Sequence, residues 1–170
     1  MTSINRAKWN IALVAVLSAS LLILVNWDIF TREAWLAKGD VVRLKLAPVD
    51  PRSLMQGDYM TLNYEIMAPI RSSTTEQNLD AYVRVKRDPD LVAQYIGVET
   101  RYLDSTALAE NELLLQVRVR GGQVKLATNA YFFEEGKGKH FAAAKYGEFR
   151  VNHKGELLLD ALLDQYLQKL

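Results

Sequence analysis

The chain has 170 residues, of which 49% are hydrophobic and 24% are charged, a composition typical of a folded protein rather than a disordered one. Its 21 basic and 20 acidic residues give a net charge of +1, so the charge provides no reason to expect a nucleic-acid partner. Because the sequence contains no cysteine, disulfide bonds, thiolate catalysis and cysteine-based zinc sites are excluded.

The first predicted element is a membrane-spanning helix over residues 9–27. This segment, WNIALVAVLSASLLILVNW, has no charged residue. As a helix it would extend roughly 27 Å, close to the hydrocarbon thickness of about 30 Å. A tryptophan stands at each end, where indole rings favour the membrane interface. Arg6 and Lys8 precede the segment, so the positive-inside rule predicts that residues 1–8 are cytoplasmic and that the C-terminal domain is extracytoplasmic.

Two other interpretations of this segment stay open. A cleaved signal peptide has a shorter apolar stretch that is followed by a small-x-small cleavage site. Here the small-x-small run, Ser18-Ala19-Ser20, lies inside the apolar stretch, and residues 26–28 (NWD) form a poor cleavage site. The pattern therefore favours an uncleaved signal anchor over a cleaved signal peptide, and also over a buried helix of a soluble protein.

Residues 28–39 are predicted to continue the helix as a short stalk. The apolar residues of this segment have helical spacing, and Gly39 is suited to end the helix. From residue 41 the apolar residues recur at every second position, which is typical of half-buried strands. We therefore expect residues 40–170 to form one β-rich domain.

Alternating apolar and polar residues predict the strands of this domain. Between two alternating runs, the pair Gly121-Gly122 predicts a tight hairpin, because glycine tolerates the positive φ angles of a two-residue turn. Polar residues 71–80 are predicted to form a loop, and the Gly/Lys-rich residues 136–139 a turn. The predicted strands cover residues 42–46, 59–66, 83–86, 91–100, 112–120, 123–128, 131–134 and 148–152, with a last segment from residue 156 that could finish as a strand or a short helix.

These elements predict the fold class. Seven or eight short strands with few helical patterns indicate a mainly β fold, either an antiparallel β-sandwich or a small β-barrel. In the predicted hairpin, Leu115, Val117 and Val119 would face the core. We interpret the many Arg and Lys residues at the intervening strand positions as the solvated face of a sheet. A basic groove for an anionic ligand is the alternative.

Residues 57–64 read GDYMTLNY, which resembles the motif of the bacterial GDYXXLXY protein family. All five defining positions match, and residues 48–52 (PVDPR) and 132–151 (FFEEGKGKHFAAAKYGEFRV) are similar to other marked regions of that family. The resemblance extends over the whole chain, and it implies an inner-membrane protein with a periplasmic domain. The family's function is uncharacterised. Because its members are often encoded beside multi-pass membrane proteins, the resemblance also implies a partner of that kind.

The motif region has a structural interpretation, in which a rigid loop leads into a core strand. Pro51 and Gly57 restrict the backbone, and Asp58 can cap a turn through its side chain. Tyr59 and Tyr64 are five positions apart, so on a strand they would point to opposite faces. The predicted structural residues are Asp50, Pro51, Gly57, Asp58, Tyr59, Leu62 and Tyr64.

A binding site for a partner protein or a small ligand is the alternative interpretation of the same region. Arg52 could pair with Asp58 or Glu135. Glu135 could also approach Tyr146 and Glu148 if the two segments pair. The candidate binding residues are Arg52, Asp58, Tyr59, Glu135 and Glu148.

Catalytic patterns in the sequence are weak. His140 and His153 have no carboxylate at metal-ligand spacing, so we expect neither a metal nor a cofactor. Ser53 and Lys86 could form the serine–lysine dyad of an anchored hydrolase, but Lys86 alternates with apolar residues and is predicted to face solvent, whereas a catalytic lysine must be desolvated. We expect a non-enzymatic accessory protein that presents its periplasmic domain to a multi-pass membrane partner or an envelope ligand. The hydrolase is the alternative, and the sequence indicates no oligomeric state.

Overall fold

The computed structural model describes residues 3–47, 59–103 and 107–170, with side chains described from Trp9 onward. The chain divides into two compact units, Met1–Ala37 and Lys38–Leu170. The first unit contains the N-terminal helix, and the second is the β-domain.

The N-terminal helix α1 (Ser3–Lys38) is continuous for 36 residues and includes the segment predicted as a stalk. Within that segment, Arg32 Nε lies 2.9 Å from Asp28 Oδ2 in an ion pair one helical turn apart. The large apolar side chains from Trp9 to Phe30 are exposed. Residues Trp9–Lys38 include an apolar window of mean hydropathy 2.1. The helix extends roughly 54 Å, so it is long and apolar enough to span a hydrocarbon core of about 30 Å.

The β-domain contains nine strands and two short helices among its described residues. They are β1 (Asp40–Lys45), β2 (Tyr59–Thr61), α2 (Met67–Ser73), β3 (Asn78–Arg87), β4 (Ala93–Glu99), β5 (Glu112–Arg120), β6 (Gln123–Lys125), β7 (Ala130–Phe132), α3 (Gly138–Phe141), β8 (Tyr146–Val151) and β9 (Leu157–Leu163). The strands form three antiparallel sheets with the orders β1-β8-β9, β2-β7 and β4-β3-β5-β6. The predicted mainly β, antiparallel fold is confirmed, and the described strands do not close into a barrel.

One apolar core is shared by the three sheets. Val42 and Leu44 of β1, Met60 of β2 and Val83 of β3 belong to it, and none of them is more than 5% exposed. Burial of one such side chain contributes about 1.5–3 kcal/mol. The common core therefore helps to hold the three sheets together.

The hairpin of β5 and β6 agrees with the prediction. Leu115, Val117 and Val119 are no more than 2% exposed and lie in the core. Gly121 and Gly122 have φ angles of 56° and 73°, the left-handed values that a two-residue hairpin turn requires. The two-residue period therefore identified both the strand and its buried face.

The strand predicted over residues 59–66 is shorter than expected. Only its first three residues form β2, and α2 begins soon afterwards and extends into the predicted loop of residues 71–80. Pro69 lies in the first turn of α2, where the missing N–H group costs no hydrogen bond. Ile66 and Ile70 are one helical turn apart and are both buried. Helical spacing in this segment therefore overlaps the apolar alternation that predicted a strand.

The end of the chain forms a strand, which was one of the two predicted alternatives. β9 is followed by a turn in which Asp164 Oδ1 accepts hydrogen bonds from the N–H groups of Tyr166 and Gln168, at 2.8 and 2.9 Å. A short helix, α3, partly replaces the turn predicted over residues 136–139. The C-terminal segment thus completes the three-stranded sheet.

Strand β1 brings the motif segment close to β8. β1 pairs with β8 along its length. Just beyond β1, Leu46 forms an isolated antiparallel bridge with Tyr64 of the motif. The Lys45 ammonium also lies 3.0 Å from the Glu65 carboxylate. The motif therefore lies where the sheet of β2 and β7 approaches the sheet of β1, β8 and β9.

Candidate functional site

The five predicted binding residues divide between described and undescribed parts of the chain. Tyr59, Glu135 and Glu148 are described, whereas Arg52 and Asp58 lie outside the described residues. The other predicted residues that lie outside the described residues are Asp50, Pro51 and Gly57 of the motif region and Ser53 of the possible dyad.

Tyr64, the last residue of the motif, is a core residue. It is 1% exposed, and its hydroxyl donates a hydrogen bond to the carbonyl oxygen of Thr128 at 3.1 Å. Its ring packs edge-on against Phe149 of β8, with centroids 5.6 Å apart. Burial raises the pKa of the Tyr64 hydroxyl above its ordinary value. Leu62 is likewise fully buried, so this half of the motif lies in the core.

Gly147 provides the space for this packing. A Cβ atom at Gly147 would lie 3.0 Å from Phe149 Cε2 and 3.5 Å from Tyr64 Cε1. Gly147 belongs to the YGE run of residues 146–148, one of the segments that resembles the family pattern. The motif tyrosine and the glycine of the second segment are therefore in direct packing contact.

Tyr59, the first tyrosine of the motif, points outward. It lies directly opposite Phe132 in the antiparallel pairing of β2 with β7, and the two ring centroids are 5.7 Å apart. Tyr59 is 39% exposed and Phe132 is 74% exposed, whereas Met60, the next residue along β2, is buried. Tyr59 therefore lies at the surface and Tyr64 in the core, although β2 ends at Thr61 and does not include Tyr64. We refer to Tyr59 and Phe132 together as the aromatic pair.

Glu148 is the buried charged residue among the described side chains, at 5% exposure. It lies opposite Arg43 of β1, and Arg43 Nε is 2.9 Å from Glu148 Oε2. Lys169 Nζ is 3.4 Å from the other carboxylate oxygen and 3.1 Å from Asp160 Oδ2. The hydrogen bond to Asp160, assisted by Glu148, raises the pKa of the Lys169 ammonium group above its ordinary value. Two cations thus compensate the buried carboxylate, which indicates a structural role.

Glu135 is exposed and has no hydrogen bond or ion pair with any described residue. Its neighbour Glu134 forms an ion pair with Lys137 at 2.7 Å. β7, which precedes Glu135, pairs with β2, whereas β8 pairs with β1 and β9. The segment pairing that would have brought Glu135 to Glu148 is therefore not formed by these strands.

Three of the residues considered for catalysis, Lys86, His140 and His153, are described, and Ser53 is not. Lys86 is exposed on β3, as its alternation predicts. His140 lies in α3 with its ring against Phe141, and the backbone carbonyl oxygen of His153 accepts a hydrogen bond from the Tyr102 hydroxyl. Within residues 3–47, 59–103 and 107–170, no group of three or more His, Asp or Glu side chains could hold a metal ion.

Sequence reasoning did not identify Phe132 and Arg43 as site residues. Phe132 is a long way from Tyr59 in the chain, and only strand register brings the two rings together. Arg43 was interpreted as part of a solvated face. The single sequence signal for its ion pair with Glu148 was its outward position between the core residues Val42 and Leu44. A cross-strand partner can be predicted only when the pairing of distant strands is known.

The protein belongs to the class in which an apolar N-terminal helix, long enough to span a membrane, precedes a β-domain. In this chain the β-domain contains a buried motif tyrosine. The model of the GDYXXLXY protein family matches residues 21–162, which is most of the chain. The chain therefore belongs to the GDYXXLXY protein family. No curated protein and no solved structure is significantly similar to it.

Proposed function

We propose that this chain is a non-enzymatic, membrane-anchored accessory protein that binds a multi-pass membrane protein through the aromatic pair. The observation that supports the proposal is that one part of the motif is buried and another part is exposed. Leu62 and Tyr64 are buried in the core, but Tyr59 is exposed and contacts an even more exposed ring, that of Phe132. A motif tyrosine that contributes little to the core has another use, and contact with a partner fits its chemistry.

Exposed aromatic rings suit protein–protein contacts. Aromatic residues are enriched among the few residues that carry most of the binding energy of an interface. Burying the ring of Phe132, now 74% exposed, against a partner would contribute about 1.5–3 kcal/mol. Two adjacent rings would therefore supply a large part of a moderate affinity. Confinement of both proteins to one membrane raises their effective concentration, so a moderate affinity is sufficient.

The proposed location is the bacterial inner membrane, with the N-terminus in the cytoplasm and the β-domain in the periplasm. Support for this topology comes from Arg6 and Lys8 before the apolar segment of α1. Support for anchoring comes from the length and exposed apolar surface of α1. The proposal includes no catalytic step, because Lys86 is solvent-exposed and a catalytic lysine must be desolvated.

Site-specific photo-crosslinking in native membranes tests the proposal. The full chain carries the photoreactive residue p-benzoylphenylalanine in place of Phe132. Tyr166 is the matched control position, because it is also an aromatic residue with 74% exposure, in the turn after β9. We expect a discrete adduct with a multi-pass membrane protein from position 132, absent from position 166 and lost when Tyr59→Ser is added. Identical adducts from both positions, or no protein adduct from position 132, would contradict the proposal.

A further inference from the structure

A surface cavity of about 480 Å³ lies beside α2. We refer to it as the α2 cavity. Its volume is within the range of about 300–1,000 Å³ that is typical of small-molecule sites. The described residues that line it are Asn63, Tyr64, Met67, Ala68, Arg71 and Ser72.

Helix α2 presents one of its sides to this cavity. Met67 and Arg71 are four positions apart, so they lie on the same side of the helix. Ile70 lies on another side and is fully buried in the core. At the end of α2, the hydroxyl oxygens of Ser73 and Tyr95 are 2.6 Å apart and form a hydrogen bond to β4. The cavity wall is therefore held in position by the core and by this bond.

Among the described residues that line the cavity, one carries a cationic group. The Tyr64 hydroxyl is engaged by Thr128, and the Ser72 hydroxyl donates to the Pro69 carbonyl oxygen at 3.0 Å. Arg71, in contrast, forms no hydrogen bond or ion pair with any described residue. The guanidinium group of Arg71 thus lies at an otherwise mostly apolar surface, and no described residue occupies its donors.

We propose that the α2 cavity binds a small amphiphile, an acyl chain whose anionic headgroup pairs with Arg71. The side chains of Met67 and Ala68 contact the acyl chain, because they supply the apolar part of the lining. A planar guanidinium group pairs with a carboxylate or a phosphate through two parallel hydrogen bonds. Neither residue of the aromatic pair lines the cavity, so this inference does not depend on the proposed protein partner.

Methyl NMR on the full chain in nanodiscs of neutral lipid tests this inference. The chain has four methionines, so selective methyl labelling gives few signals. Met67 lines the cavity, and Met60, which is 5% exposed in the core, is the internal control. Octanoate and octyl phosphate are the anionic probes, and the stronger of the two identifies the headgroup. Octylammonium and inorganic phosphate test the requirements for negative charge and for an acyl chain.

We expect an anionic probe to shift the Met67 signal saturably while the Met60 signal stays in place. Arg71→Ala should weaken this binding at least fivefold, and Arg71→Lys should retain part of it. Arg118→Ala is the matched control, since Arg118 is an exposed arginine on β5 with no ion pair among the described residues, and it should bind like the natural chain.

Three results would overturn the inference. They are the absence of a saturable Met67 shift, equal shifts with octylammonium or inorganic phosphate, and unchanged affinity in Arg71→Ala. If Arg71→Ala alters the Met60 signal and hence the core, Arg71→Gln replaces it, and unchanged affinity in that variant counts equally against the proposal. Crosslinking through the aromatic pair can succeed or fail whatever the outcome of this titration.

Discussion

The ring of Tyr64 lies edge-on to the ring of Phe149, with the ring centroids 5.6 Å apart and the planes at 69° to each other. This contact connects the motif segment to the middle of β8. Edge-to-face aromatic pairs contribute about 0.5–1.5 kcal/mol beyond the area that they bury. The contact therefore ties the motif segment to the sheet of β1, β8 and β9.

The packing around Gly147 predicts that Gly147→Ala is destabilising. The added methyl group would lie 3.0 Å from Phe149 Cε2 and 3.4 Å from Leu159 Cδ1, so the core must shift. Overpacking of this kind costs about 1–3 kcal/mol. Urea unfolding of the full chain in detergent micelles, followed through the Met60 methyl signal, measures the loss. Gly97→Ala is the control, because nothing lies within 4 Å of its Cβ position and its stability should be unchanged or higher.

A second pair of glycines separates backbone strain from steric clash. Gly155 and Gly122 have similar positive φ angles, 78° and 73°. A Cβ atom at Gly155 would lie 2.7 Å from the carbonyl oxygen of Leu114, whereas nothing lies within 4 Å at Gly122. We expect Gly122→Ala to lose about 1 kcal/mol through strain alone. Gly155→Ala should lose at least about 1 kcal/mol more in the same unfolding experiment. Equal losses would show that the turn between β8 and β9 moves away from β5.

The two tyrosines of the motif should respond differently to truncation. Tyr64→Ala removes a fully buried ring and a hydrogen bond, so it should cost about 3–5 kcal/mol of stability. Tyr59→Ala removes a partly exposed ring and should cost less than about 1 kcal/mol. In the crosslinking assay, however, Tyr59→Ala should abolish the adduct from position 132. A large loss of stability in Tyr59→Ala would assign the aromatic pair to the fold instead of a partner.

The raised pKa of Lys169 predicts a stability change at alkaline pH. Because the folded-state pKa is the higher one, the charged ammonium group contributes fully below the ordinary lysine pKa of about 10.4. The contribution is lost as the pH rises through the folded-state value. The stability difference between the natural chain and Lys169→Met should therefore be present at neutral pH and fall toward zero as the pH rises above the folded-state pKa.

Urea titrations at a series of pH values, read at the Met60 methyl group, measure this difference. Lys86→Met is the control, since Lys86 is exposed and has no ion pair among the described residues. It should show no comparable difference at any pH. A Lys169→Met difference that is constant with pH would mean that the lysine acts through the packing of its aliphatic chain and not through its charge.

The absence of cysteine from the sequence allows a direct test of topology. A single cysteine introduced by Lys139→Cys, at an exposed position of α3, should react with a membrane-impermeant maleimide in spheroplasts. A single cysteine introduced by Ser3→Cys should react only after the membrane is permeabilised. The reverse pattern would contradict the proposed orientation, and recovery of the labelled domain in the soluble fraction at reduced mass would contradict anchoring.

The sequence predicted those parts of the fold that local patterns control. The hairpin of β5 and β6 was predicted because its alternation is regular and a glycine pair marks its turn. Helix α2 was missed because the buried residues Ile66, just before the helix, and Ile70, within it, follow directly on an alternating segment. At seven residues, α2 is also too short for a helical period to be distinguished from chance.

The candidate site was predicted only in part, because register between distant strands is a tertiary property. Tyr59 is exposed and Tyr64 is buried, but the single strand from which their opposite directions were predicted is not formed, because β2 ends at Thr61. The contacts of Tyr59 with Phe132 and of Glu148 with Arg43 depend on which strands pair and how they align. No local pattern carries that information, so both partners had to come from the structure.

All three tryptophans of the chain, Trp9, Trp27 and Trp35, lie in α1. Indole emission therefore reports the surroundings of this helix. Along the helix axis the first two indoles are about 27 Å apart and the third is about 12 Å further on. Quenching by lipids brominated at different depths would thus give the position of α1 in a bilayer from the natural protein, without any introduced label.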